Sequence, residues 1–314
     1  MTLPHLHLLL NHVPTVGTVI AVALLLLSYI RRNVALRHVS LELFAVIALL
    51  TLPAYLSGVG TQLAIQELPG VSAPAIERHH DAAILASIFM LITGSAAWLA
   101  LWQFRRAGQP SGATMAVVGI SALVTLALMA QAATMGGEIR HPEIIVVGQE
   151  GVEPSSPGPE WLSATAIAAA VNQRVWLWPA LETLHFIGLW MLFGVLLLVN
   201  LRVLGMMPQV SYAALHRLLP WAMLALVINT ITGIAFVIAA GHQYVNNVAF
   251  FWKIGLLLLA GFNLIYLTAF EGPWRVEAGQ RAPLRVQLAA LSSIVLWVGV
   301  MYFGRMLPFI GNAF

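Results

Sequence analysis

The chain has 314 residues, of which 60% are hydrophobic and only 9% charged, and its mean hydropathy is +0.88. A soluble domain carries roughly 25% charged residues, so this composition is built for lipid. A formal charge of +3 and an isoelectric point near 9.6 do not indicate nucleic acid, because the few basic residues sit at the ends of apolar runs, as orientation in a membrane requires. The absence of cysteine excludes disulfides, thiolate metal sites, thiolate-ligated iron–sulfur clusters and c-type haem attachment. Ten histidines leave imidazole as the main ligand type for haem or a transition metal.

At about 20 residues per span, the apolar runs predict an all-α polytopic membrane protein of about eight transmembrane helices. The first runs from about Val13 to Ile30 and stops at Arg31 and Arg32. No Lys or Arg precedes it, which fits a retained helix better than a cleaved signal peptide. The second runs from about Leu41 to Gln62, with Pro53 as a kink. The third runs from about His80 to Phe104 and the fourth from about Thr114 to Met135. A polar stretch from Gly136 to Gln173 contains the breaker run Pro154-Ser155-Ser156-Pro157-Gly158-Pro159. Four further helices are expected at about 175–198, 212–240, 248–270 and 284–303. The chain thus reads as a four-helix half (1–145), a linker loop (146–174) and a second four-helix half (175–314), with no convincing sequence repeat between the halves.

Basic residues set the orientation. On this topology one side carries Arg31, Arg32, Arg37, Arg105, Arg106, Arg202, Arg217, Arg275, Arg281 and Arg285. The other carries Arg78, Arg140, Arg174, Lys253 and Arg305. The richer side is expected to be cytoplasmic. Both termini and the 146–174 loop are then periplasmic, in a bacterial inner membrane.

Three separate segments bring histidines to that outer face: LNHVPTVG with His12, IERHHDAA with His79 and His80, and GGEIRHPEI with His141. His5 and His7 lie close enough in sequence to join them. Two neutral imidazoles on facing helices suit the axial positions of a haem iron. Three or four would suit copper or zinc, with His12, His79 and His141 the first choice. Arg78 and Arg140 flank the group and match the charge of haem propionates. Glu77, Asp81 and Glu138 are placed to orient imidazoles, and Gly58, Gly60, Gly94, Gly136 and Gly137 to let a flat group approach. The ordinary alternative is that each histidine merely caps a helix or meets water and headgroups.

In the second half Glu182 and His185 lie one turn apart on one face, and Lys253 enters from another helix at similar depth. Ionisable groups inside a bilayer are costly and face a partner or a cavity. A Glu182–Lys253 pair beside His185, walled by Trp176, Trp178, Trp190 and Trp252, would make a proton-active quinone pocket or a purely structural ion pair. Asn229, Thr230, Thr232 and Asn263 are expected to hydrogen-bond between helices.

The three histidine segments resemble the signatures of a four-helix bacterial membrane family of unknown function, often found near redox genes, over roughly residues 1–145. That resemblance implies His12, His79 and His141 as the matching histidines. The second half, through LHFIGLWMLFGVLLLVNLRVLG, HRLLPW, TGIAFVI and NNVAFFWK, is similar to another such family, itself distantly like the copper-resistance D-type membrane proteins. His185 and Lys253 fall on its recurring polar positions.

Three functions remain open on sequence. One is an electron-transfer subunit with a b-type haem, serving a periplasmic cytochrome or redox enzyme subunit and the quinone pool. The second is a copper-binding or copper-transporting protein. The third is a non-catalytic anchor of a redox complex. No phosphate loop, zinc-protease helix or dinucleotide fingerprint is present.

Overall fold

The structure is a computed structural model that describes residues 2–69, 71–140, 160–270 and 280–310; the side chains of 140, 160, 213, 269 and 270 lie outside the description. Among the described residues every regular element is helical. In chain order they are α1 (Leu3–Leu10), α2 (His12–Ile30), α3 (Val34–Ile65), α4 (Ala73–Ala107), α5 (Gly112–Arg140), α6 (Ala164–Gln173), α7 (Leu177–Val203), α8 (Tyr212–His216), α9 (Leu219–Val245), α10 (Val248–Ile265) and α11 (Leu284–Met306). Eight stretches are long and apolar enough to cross a membrane, beginning with Leu3–Ile30 and ending with Leu284–Met306. Their outward faces are apolar too: Ile120 is 66% exposed and Val295 63%. That is the surface of a protein solvated by lipid.

Several helices start earlier or end later than the apolar runs suggest. The first span begins at Leu3 and runs through α1 and α2, with Asn11 between them in right-handed helical conformation and its amide still bonded to His7 O. α4 begins at Ala73, so His79 and His80 lie inside its first two turns and do not start it. α5 continues through Gly136 and Gly137 to Arg140. Glycines are tolerated there because a bilayer leaves backbone groups no alternative partner to the helix. Part of the expected loop is also helical, as α6.

The chain divides into two compact units. The first comprises Met1–Ala97, Ser111–Gln173 and Ile238–His242; the second comprises Trp98–Pro110, Arg174–Val237 and Gln243–Phe314. The division differs from the two sequence halves in that the last turns of α4 belong to the second unit and five residues of α9 to the first.

Lipid is as apolar as leucine, so helices in a membrane associate through close packing and polar contacts. In the first unit Ser40 Oγ donates to Ala21 O at 2.8 Å, joining α3 to α2. Thr93 and Thr125 share a 2.9 Å hydroxyl bond between α4 and α5. α4 crosses α3 at Gly94, where a Cβ would overlap Ala48 Cβ and stand 3.0 Å from the Phe44 carbonyl. In the second unit Asn200 Nδ2 donates to Ser293 Oγ at 3.0 Å, and Asn263 Nδ2 donates to Ala289 O and Ser292 Oγ at 3.0 and 2.8 Å. Asn263 and Thr232 make the expected interhelical bonds. Asn229 and Thr230 do not: they bond back to Ala225 O and Leu226 O of their own helix, because a carbonyl four residues back is always within reach. At the foot of the second unit Arg202 is buried beneath Tyr212, its guanidinium 4.3 Å from the ring centroid. Burial pushes the Tyr212 phenol above its ordinary range, against the opposing effect of Arg202.

Gly94→Leu is expected to force α3 and α4 apart and to destabilise the first unit by about 1–3 kcal/mol, the range for overpacking. A lower thermal midpoint of the detergent-solubilised variant, compared with Gly119→Leu at a position with open space around it, is the check.

Candidate functional site

The first unit builds one polar arrangement twice. His7 of α1 donates its Nδ1–H to Ala54 O of α3 at 3.0 Å. His79 of α4 donates its Nδ1–H to Ala132 O of α5 at 2.9 Å. In each case the residue four positions beyond the accepting carbonyl is a glycine, Gly58 or Gly136. A helical carbonyl already accepts from the amide four residues on, and a side chain at that later position crowds its free lone pair. With glycine there, the imidazole lies directly on the helix. A Cβ on Gly58 would be 3.0 Å from His7 Cε1, and one on Gly136 would be 3.0 Å from His79 Cε1.

The chemistry of the acceptor assigns the tautomer. A carbonyl only accepts, so Nδ1 carries the proton in both rings and Nε2 carries the lone pair. Neither Nε2 has a hydrogen-bond partner among the described residues. The two rings lie within electrostatic range of one another. Two neutral imidazoles, oriented through Nδ1 and presenting Nε2, form the usual outer support of a histidine ligand.

Around this pair the polar groups are committed. Tyr55 follows Ala54 and is buried, and its hydroxyl lies 3.1 Å from His80 Nε2. Asp81 is buried and its Oδ1 accepts the amide of Ala164 at 2.7 Å, which ties the first residue of α6 to α4. Arg78 is half-buried, and its Nε is without a hydrogen-bond partner among the described residues.

The sequence-predicted residues therefore separate. His79 takes part in the paired arrangement. His80 sits beside it but faces Tyr55. His12 is exposed at the start of α2, and no hydrogen bond or ring contact joins it to His79 or His80. His7, not His12, lies against Gly58 of α3, because the first span continues through α1 along that helix. His141 lies outside the described residues, as does the side chain of Arg140. Among the described residues no group of three or more His, Asp or Glu side chains converges as a metal site would. For His7 and His79 it is backbone carbonyls that take the Nδ1 proton, and Asp81 accepts the Ala164 amide. The signal that could have found His7 is the pattern Ala-x-x-x-Gly near the end of both receiving helices, at Ala54–Gly58 and Ala132–Gly136.

In the second unit His185 Nδ1 lies 2.7 Å from Thr232 Oγ1. The Thr232 hydroxyl donates to Ile228 O at 2.8 Å, so His185 supplies the hydrogen and again leaves Nε2 with the lone pair. Phe236 meets the His185 ring edge-on with centroids 5.9 Å apart, and Trp178 packs on Phe236 at 5.0 Å. Lys253 lies within electrostatic range of His185, and its Nζ is 3.6 Å from where a Cβ on Gly304 would stand. The expected Glu182–Lys253 ion pair does not form. Glu182 is exposed and acts on Tyr244, while no acidic group acts on Lys253 among the described residues. Of the expected tryptophan walls, Trp178 is in place. Trp252 stacks on Phe303, and Trp176 and Trp190 are 64% and 67% exposed.

No protein-family model matches the chain, and neither does any curated protein or solved structure.

Asp81→Ala is expected to release α6. A hydrogen bond to a charged group contributes about 1.5–3 kcal/mol, so hydrogen exchange across Ala164–Gln173 should quicken by about ten-fold or more while exchange in α2 and α3 is unchanged. Unaltered α6 protection would show that Asp81 does not hold it.

Proposed function

We propose that the chain is a membrane electron-transfer subunit that binds one b-type haem between His7 and His79, near the periplasmic face of a bacterial inner membrane. The observation that carries this reading is the duplicated arrangement: two imidazoles from different helix pairs, each with Nδ1–H held by a carbonyl over a glycine, each presenting an unprotonated Nε2. Two such nitrogens would serve as the protein's ligands to a haem iron, which would supply the redox chemistry. A copper or zinc site asks for a third or fourth ligand, and the described residues gather no such set.

When bound, the haem supplies a one-electron couple. The protein's part is to hold and tune it. The Ala54 and Ala132 carbonyls keep both imidazoles in one tautomer and raise their basicity as ligands. Arg78, with a buried Nε lacking a partner, is the residue suited to a propionate. Apolar helices exclude water, which disfavours the more highly charged oxidation state of a buried centre. A periplasmic cytochrome or redox enzyme subunit is the soluble partner in this reading, and the quinone pool is the partner in the bilayer. Orientation with the histidine end outward follows from the excess of arginine at the opposite helix ends.

His7→Ala and His79→Ala are each expected to abolish the sharp low-spin bands in the reduced-minus-oxidised spectrum, whereas His12→Ala retains them. A pyridine haemochrome assay on each purified variant gives the haem content. Normal spectra in both His7→Ala and His79→Ala would overturn the assignment. Gly58→Ala and Gly136→Ala, which push on the rings without removing them, are expected to shift the bands and lower haem content.

A further inference from the structure

The second unit contains a polar group that the haem reading does not use. His185 has its proton on Nδ1 and its lone pair on Nε2, because Thr232 Oγ1 receives the first and is itself committed to Ile228 O. No described residue bonds that Nε2. Lys253 comes from α10, with its amine over Gly304 of α11 and no carboxylate beside it among the described residues. An unpaired ammonium and an unused imidazole acceptor, several residues inside helix ends, are costly in a bilayer unless a ligand meets them. The neighbouring side chains are aromatic: Phe236 against His185, Trp178 on Phe236, and Trp252 stacked on Phe303 at 5.9 Å. Large apolar residues beside them, Phe186 and Ile187, are exposed and hence open to lipid.

We infer that His185 and Lys253 form a binding site for the head group of a lipid-soluble quinone or quinol entering from the bilayer. The two side chains have opposite hydrogen-bonding capacity. His185 Nε2 accepts from a quinol hydroxyl, and Lys253 Nζ donates to a quinone carbonyl. A para-substituted ring carries an oxygen at each end, so the quinol uses both groups, one hydroxyl donating to His185 Nε2 and the other oxygen accepting from Lys253 Nζ, whereas the quinone engages Lys253 alone. The aromatic side chains supply stacking and edge contacts for the ring. Glu182 has no part in the site, since it is exposed and directed elsewhere. Thr232 is a positioning residue: it sets which nitrogen of His185 faces the ligand. The site deepens the electron-transfer reading by placing its membrane partner, yet binding itself requires no haem.

The test uses the full chain in nanodiscs and decylubiquinol, held reduced under anaerobic conditions, as the probe, titrated calorimetrically, with haem content measured on the same preparations. Saturable binding is expected for the wild type. His185→Ala and Lys253→Met should each weaken it by about ten-fold or more, the scale of a lost hydrogen bond to a buried group. Haem content should not change. Thr232→Val keeps both ligand groups and removes only the Nδ1 acceptor. Its expected smaller loss distinguishes a misoriented imidazole from a misfolded helix pair. Absence of saturable binding by the wild type, or wild-type affinity in both His185→Ala and Lys253→Met, overturns the site. So does retention at the site of a phospholipid that decylubiquinol does not displace. Loss of haem binding in the His7 and His79 variants with normal quinone titration would leave this site standing, and the reverse result would remove it alone.

Discussion

The arrangement on which the rest depends is an imidazole N–H donated to a helix carbonyl that a glycine has left uncovered. It does three things at once. It joins two helices in a solvent that gives no hydrophobic reason for them to associate. It satisfies one ring nitrogen with a group that can only accept, which fixes the tautomer. It thereby aims the other nitrogen, with its lone pair, away from the receiving helix. His7 on Ala54 and His79 on Ala132 both achieve this, one for each helix pair of the first unit. Tyr55 and His80, the next residue in each case, are then brought within 3.1 Å of each other. The adjacent Asp81 fastens α6, so a single register between α3, α4 and α5 controls the whole polar end of the unit.

The second unit solves a related problem with a side-chain acceptor. Thr232 spends its own hydroxyl hydrogen on a carbonyl one turn back, a habit of Ser and Thr in apolar helices, and so presents only lone pairs to His185. The result is again a neutral imidazole with a defined free nitrogen. The amide side chains of Asn200 and Asn263 hold the remaining helices by donating to Ser293 and to Ala289 with Ser292. In hydrocarbon such bonds contribute about 0.6–2 kcal/mol each, so several are needed. The buried Arg202 is the exception, since its Nη2 has no partner. It is stabilised by the Tyr212 ring face and the Val210 carbonyl.

Much of this was legible from residue types alone. Eight spans followed from hydropathy, because the length of apolar chain needed to cross a bilayer is set by its thickness. The gathering of histidines near the starts of the first and third spans and the end of the fourth was visible as a pattern in the chain. His79, His185 and Lys253 stood out in the sequence as polar positions at or within spans. The failures have physical causes. His12 was preferred to His7 because the sequence reading starts the first span at Val13, whereas the span begins at Leu3 and so lays His7 against α3. The Glu182–Lys253 pair was inferred from shared depth and opposite charge. Depth along a helix does not fix direction around it, and Glu182 faces outward. Carboxylates were expected to orient the ligands because they often do. Here glycines made backbone carbonyls available instead, and a missing Cβ has no chemistry of its own to advertise.

The sequence by itself determined that the chain is all-helical, that it belongs in a membrane, how many spans it has, and which ionisable groups those spans must accommodate. These are consequences of composition and period, since a bilayer tests each segment for apolarity one helix at a time. Only the tertiary structure decided which helix carbonyl each histidine meets, which nitrogen of each ring carries the proton, and which buried charges lack a partner among the described residues. Those depend on helix rotation and register, which are fixed by contacts between residues such as His7 and Gly58 or His79 and Gly136, roughly fifty positions apart in the chain. A few ångströms of approach, permitted by one absent methyl group on each receiving helix, separates a histidine that caps a helix from one positioned to bind a ligand.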